Sequence, residues 1–106
     1  MAELVNVKNL LTEKIIILDG ATGTELQKRG LPSGVSPEIW CLENSGIIAD
    51  VHTSYIKAGA QVVYTCTFGA NRFKLKQHDA KQDVYAINLE LARLAKKTCG
   101  NKALVA

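Results

Sequence analysis

No apolar run in this chain of 106 residues approaches the roughly 20 residues a helix needs to cross a bilayer, so no membrane partner is expected. The opening MAELVNVKNL lacks the charged-then-apolar pattern and small-residue cleavage site of an export signal, and a cytoplasmic location is expected. Basic residues are not gathered either. Lys and Arg number 13 against 10 Asp and Glu, a net charge of +3, and the lysines are scattered. A nucleic-acid footprint concentrates them on one face, so no nucleic-acid partner is expected. No two of the three cysteines, Cys41, Cys66 and Cys99, stand at a C-x-x-C spacing, and their number is odd. Free thiols in a reducing compartment follow, not a disulfide framework. A closed zinc site takes about four Cys or His ligands, usually in close pairs. Only His52 and His78 could supplement the cysteines, and neither adjoins one. What is present is an ordinary globular balance, 47% hydrophobic and 22% charged, unlike a disordered tail, a collagen-like repeat or a coiled coil. At ~100–200 residues per domain, the length allows one small domain at most.

Patterning predicts alternating strands and helices. Leu4, Val5, Val7, Leu10 and Leu11 give the lead-in a short amphipathic pattern. Residues 14–18 (KIIIL) are a continuous β-branched run, as in a strand buried on both faces. Thr22 and Glu25 have capping-box spacing, and Gly30 is a natural helix stop. Residues 31–44 are turn-rich, with a single helical turn expected at Ser36-Pro37-Glu38. Ile47, Ile48, Val51, Tyr55 and Ile56 form a helical stripe between Ser45 and Ala58 that Gly59 ends. Residues 61–67 (QVVYTCT) read as a second strand, and Arg72 to His78 as a short helical excursion. Val84, Ile87, Leu91, Leu94 and Ala95 make the last stripe, stopped by Gly100, and residues 102–106 begin a third strand. Such alternation implies parallel pairing through helical crossovers. Parallel sheets are covered on both faces, and three strands with open edges do not close a unit. The expected fold class is therefore α/β, the opening part of a larger domain that is cut within its third strand.

Ligands of parallel α/β folds gather at the C-terminal strand ends. Two such ends are present, Asp19-Gly20-Ala21-Thr22-Gly23-Thr24 and Thr65-Cys66-Thr67-Phe68-Gly69. At the first, glycines allow close backbone approach, and the amides opening the following helix favour a carboxylate or phosphate. Asp19 adds an anion beside them. An α-amino acid, with an ammonium and a carboxylate, suits both features, whereas a phosphate would be repelled by Asp19. Equally, Asp19 could merely cap the turn and the glycines act as hinges. Neither G-x-G-x-x-G nor a P-loop lysine is present, which disfavours nucleotides. At the second end, strand alternation puts Thr65 and Thr67 on one face and Cys66 on the other, so either the threonines or the thiol face the cleft. A buried inert thiol is the plain alternative for Cys66. Cys41 and Cys99 read as structural or exposed, His52 as a packed helix residue, His78 as solvated, and Trp40 and the tyrosines as core.

The two segments ILDGATGTELQKRG and VHTSYIKAGAQVVYTCTFGANRFKL, in that order and spacing, resemble the N-terminal part of the homocysteine S-methyltransferase family. That family includes the homocysteine-binding domain of cobalamin-dependent methionine synthase and betaine–homocysteine methyltransferase. The resemblance covers roughly residues 14–106. It implies a (β/α)8 TIM barrel, which takes about 250 residues, with residues 1–106 as the N-terminal portion of the homocysteine-binding barrel and the remaining barrel as a partner from the same parent chain. It implies methyl transfer to homocysteine, giving methionine, with zinc keeping the sulfur as a thiolate. The zinc cysteines belong to later strands, so no metal ligand and no catalytic residue is assigned here. Asp19 would meet the ammonium, amides of Gly20, Ala21 and Thr22 the carboxylate, and Thr65 and Thr67 the barrel mouth. Relatives more often carry a polar amide at the position of Cys66. The methyl donor is left open: methyltetrahydrofolate through cobalamin, betaine and S-methylmethionine are all compatible. The fragment alone is expected to be inactive. The alternative is an independent small α/β module that binds an amino acid or other small ligand without catalysis.

Overall fold

The computed structural model describes residues 6–78 and 83–106. Leu4 and Val5 of the expected lead-in pattern lie outside them. Six helices run α1 (Val7–Glu13), α2 (Gly23–Lys28), α3 (Pro37–Glu43), α4 (Ser45–Lys57), α5 (Arg72–Gln77) and α6 (Val84–Cys99). Two short strands, β1 (Val62–Val63) and β2 (Leu104–Val105), pair in parallel with Val62 opposite Leu104 and Val63 opposite Val105. The chain is thus mixed α/β and mostly helical. No helix among the described residues is long and apolar enough to cross a membrane.

Residues 14–18 do not form the expected strand. Only Leu18 bridges Val62, in parallel, with the Asp19 amide donating to the Val62 carbonyl and the Gln61 amide to that of Ile17. Nor is the segment buried on both faces: Ile15 is 89% exposed, and Ile17 and Leu18 are about half exposed. The segment meets β1 on one side, at Leu18, and these side chains are left about half exposed or more. Three stretches, around Leu18, β1 and β2, therefore lie side by side in chain order, joined by helices. The second strand is also shorter than residues 61–67. Its ladder runs on to Ala106, whose amide donates to the Val63 carbonyl and whose carbonyl accepts from the Thr65 amide, and Cys66 just beyond takes a φ of 60°.

Helix boundaries follow local chemistry. Ser36 accepts from the Ile39 amide with Pro37 at the first helical position, and α3 runs for seven residues instead of a single turn. Asn71 and Asp83 cap α5 and α6 in the same way. Gly59 and Gly100 take positive φ just past α4 and α6, where a side chain would be strained. The Thr22–Glu25 capping box does not form. Thr22 is itself in helical conformation with no side-chain cap, and Glu25 pairs with Arg29 at 2.7 Å and Lys28 at 3.3 Å. Those partners, Arg29 foremost, hold the Glu25 carboxyl below its ordinary range.

The core joins Leu26 of α2, Cys41 of α3, Ile48 and Val51 of α4, Leu75 of α5, and Ile87 and Leu91 of α6. Helix α6 packs on α4, α3 and β2. Full burial of each such aliphatic side chain contributes roughly 1.5–3 kcal/mol. This helical layer holds the sheet from one side and fixes where the strand ends emerge. Trp40 and Tyr55 pack against the core, but Tyr64 and Tyr85 do not belong to it, being 50% and 73% exposed. Their positions put the rings on a strand end and on the outer face of α6.

Candidate functional site

A cleft of about 700 Å³ opens where the strand ends meet α2, α3 and α5. The sequence places apolar Leu26 and Pro37 on its wall, next to Thr22, Thr65, Cys66 and Thr67. Of the six residues expected to bind substrate, Thr22, Thr65 and Thr67 line this cleft, while Asp19, Gly20 and Ala21 stand beside it. The expectation that the threonines and the thiol exclude each other is corrected. With Cys66 at positive φ the strand alternation is lost, and all three residues reach the cleft. The Thr65 and Thr67 hydroxyls are 2.6 Å apart and hydrogen-bonded.

Asp19 is anchored at the end of the first stretch. The Tyr64 amide donates to its Oδ2 at 3.1 Å, replacing a backbone carbonyl in the ladder. Its other oxygen, Oδ1, is buried and has no partner. The turn that follows is clamped by Tyr55 of α4, whose hydroxyl donates to the Ala21 carbonyl at 2.5 Å. The same ring closes over Gly20, where a Cβ would come 3.1 Å from the Tyr55 hydroxyl oxygen. A side chain at position 20 would need the Tyr55 ring to give by a few tenths of an ångström. The amides of Gly20, Ala21 and Thr22 make no hydrogen bond among the described residues.

Sequence reasoning missed Glu38. This carboxylate is 6% exposed and lines the cleft beside Gly69. Burial pushes its pKa up, opposed by the Glu38 and Gly69 backbone and by His78. A Cβ at Gly69 would overlap the carboxylate, so a side chain there requires the Glu38 carboxylate to move. Pro37-Glu38 at a helix start carried no signal that its side chain would meet a segment 31 positions on. Cys41 was also underestimated: it is fully buried, and its Sγ lies 3.9 Å from that of Cys66. Cys99 is buried at the end of α6, and His52 is buried within α4 with Nε2 unpartnered. Burial pushes the His52 pKa down, against the pull of Asp19. His78 is exposed, its Nδ1 3.2 Å from the Gly34 carbonyl.

Among the described residues, no three His, Cys, Asp or Glu side chains come together as a metal site. What the cleft offers is a set of threonine hydroxyls, a thiol, a buried carboxylate, Lys74 and His78, with the buried Asp19 oxygen and the amides of Gly20 and Ala21 beside it. Comparison with known proteins agrees with the two motifs. The chain is 34% identical over 93 residues to the homocysteine S-methyltransferase of Escherichia coli, covering 80% of this chain and 29% of that protein. It is 28% identical over 97 residues to the methionine synthase of Mycobacterium tuberculosis, covering 84% of this chain and 8% of that protein. The chain therefore spans less than a third of either relative. The family model described as homocysteine S-methyltransferase matches residues 16–106, nearly the whole of the sequence, and the chain belongs to that family.

Proposed function

We propose that the parent protein transfers a methyl group to the sulfur of homocysteine, forming methionine, and that this chain builds one wall of the homocysteine site. The observation that carries the reading is the meeting of residues 19–22 and 64–69 at one end of the parallel stretches, with Asp19 Oδ1 buried and unpartnered between them. In the proposed complex that oxygen receives the substrate ammonium. The amides of Gly20, Ala21 and Thr22 hold the carboxylate. Thr65 and Thr67 line the path of the thiol-bearing side chain. Pairing both charged ends offsets their desolvation and orients the sulfur towards the methyl donor.

Residues 1–106 are, in this reading, the first strands and helices of a (β/α)8 barrel. The exposure of Ile15, Ile17, Leu18 and Phe68 supports it, because strands of such a barrel are covered by neighbours on both sides. Zinc would serve to keep the homocysteine sulfur as a thiolate. The residues described here do not assemble its ligands, and no step is assigned to it. Whether the donor is methyltetrahydrofolate through cobalamin, betaine or S-methylmethionine lies with other parts of the parent.

The test is methionine formation by the parent protein, supplied with zinc, homocysteine and each donor in turn. Methionine should appear with one donor, and S-methylcysteine should not replace it when cysteine is the acceptor. A folded, zinc-loaded parent that methylates homocysteine from none of them overturns the proposal.

A further inference from the structure

We propose that Cys41 and Cys66 form a reversible thiol–disulfide site at the wall of the cleft, oxidised by low-molecular-weight disulfides of the glutathione type. The two sulfurs are 3.9 Å apart and both thiols are free. A disulfide is about 2.05 Å long, so closure needs the two sulfurs to approach by roughly 1.9 Å. Cys66 is the one non-glycine residue with positive φ among the described residues. That backbone geometry takes its side chain out of the strand alternation and up against α3. A residue in so sparsely populated a region is held there by its surroundings, and the surroundings here include the partner thiol.

Access to the two thiols is unequal. Cys66 lines the cleft, whereas Cys41 is fully buried beneath it. A dissolved disulfide therefore meets Cys66 first and reaches Cys41 only through it. The contact with Cys66, and then burial, push the Cys41 thiol pKa up. Cys99 makes no sulfur contact among the described residues.

The exchange proceeds in two steps. The Cys66 thiolate attacks one sulfur of R–S–S–R, forming Cys66–S–S–R and releasing RS⁻, which takes up the proton that Cys66 lost. Cys41 then attacks Cys66 Sγ, forming the Cys41–Cys66 bond, and its proton goes to the departing second RS⁻. Two protein thiols are oxidised, one R–S–S–R is reduced, and two RSH are formed. Disulfides in reducing compartments are mostly transient or redox-sensing, and this one would pull Cys66, with its threonine neighbours, towards α3. The site stands whether or not the cleft takes homocysteine.

The experiment equilibrates the native chain in glutathione buffers of rising oxidised fraction, traps it with acid and an alkylating agent, and maps its peptides by mass. The expected product has lost two hydrogens, links the Cys41 and Cys66 peptides, and leaves Cys99 alkylated. In guanidinium the selectivity should vanish. Cys41→Ser should accumulate a stable glutathione adduct on Cys66, and Cys66→Ser should leave Cys41 unmodified. If either variant fails to fold, the map of the unaltered chain decides alone. A lasting adduct on Cys66 of the unaltered chain, a dominant link through Cys99, or thiols that stay reduced where the denatured chain is fully oxidised would each overturn the proposal.

Discussion

The Asp19 carboxylate is fastened to the next strand by the Tyr64 amide, which donates to Oδ2 at 3.1 Å while Oδ1 stays buried and unpartnered. One oxygen thus holds the next strand, and the other is the one proposed to receive the substrate ammonium. The arrangement separates two roles that a single alanine substitution would confuse.

Asp19→Asn should divide those roles. The amide oxygen of asparagine can still accept from Tyr64, so denaturant unfolding should move by less than about 1 kcal/mol. The negative charge that would meet an ammonium is gone. A hydrogen bond to a charged group contributes about 1.5–3 kcal/mol, so calorimetry on the parent protein should find homocysteine affinity lower by roughly ten- to hundred-fold. Unchanged affinity removes Asp19 from the ammonium site.

Gly69→Ala tests the fit between the second strand end and α3. A Cβ there overlaps the Glu38 carboxylate, and overpacking of this kind costs roughly 1–3 kcal/mol. Glu38→Ala makes room. The double variant Gly69→Ala/Glu38→Ala should therefore be less destabilised than the sum of the two single changes, a coupling read by urea unfolding of all four proteins. Strict additivity means the overlap is relieved elsewhere.

Helices were the legible part of this chain, for reasons that sit within a few residues. Ser36 before Pro37, Gly59 after α4 and Gly100 after α6 each act on their own helix end, and the stripes of α4 and α6 bury Ile48, Val51, Ile87 and Leu91 as their spacing demands. Strand extents were less legible. The run at 14–18 has β-propensity, but it meets β1 only at Leu18, and propensity says nothing of where a partner lies. That Thr22, Thr65 and Thr67 would come to one cleft could be read because two motifs at strand ends converge in a parallel fold. Glu38 against Gly69, Cys41 against Cys66 and Tyr55 against Ala21 could not. Each joins segments 25 or more positions apart, and none leaves a periodicity in the sequence.

Glu38 also predicts a pH dependence. Burial holds its folded pKa above the unfolded value of 4.5, so the folded state binds the proton more tightly. The resulting stability is fully present below the unfolded value and is lost as pH rises through the folded one. Glu38→Gln does not titrate. Its stability relative to the unaltered chain should therefore rise with pH across that window, as read from urea midpoints at about pH 4, 6 and 8. A difference that is flat in pH shows that Glu38 ionises as it does in the unfolded chain.

Tyr55 is the residue whose removal should reach the site without touching the cleft. Its hydroxyl donates to the Ala21 carbonyl and its ring lies against Gly20, so it sets where the amides of residues 20–22 point. Tyr55→Phe keeps the ring and loses one neutral hydrogen bond, a cost of about 0.5–1.5 kcal/mol in stability. A loosened turn presents its amides less well, and homocysteine affinity of the parent should fall by about three- to ten-fold even though no substrate contact is lost. Gly20→Ala should be costlier, because its Cβ meets the Tyr55 hydroxyl and ring at 3.1–3.2 Å. In the Tyr55→Phe background the clash with the hydroxyl is gone, and the cost of Gly20→Ala should shrink. If Tyr55→Phe alters stability but not affinity, the clamp holds the fold and the amides find their direction without it.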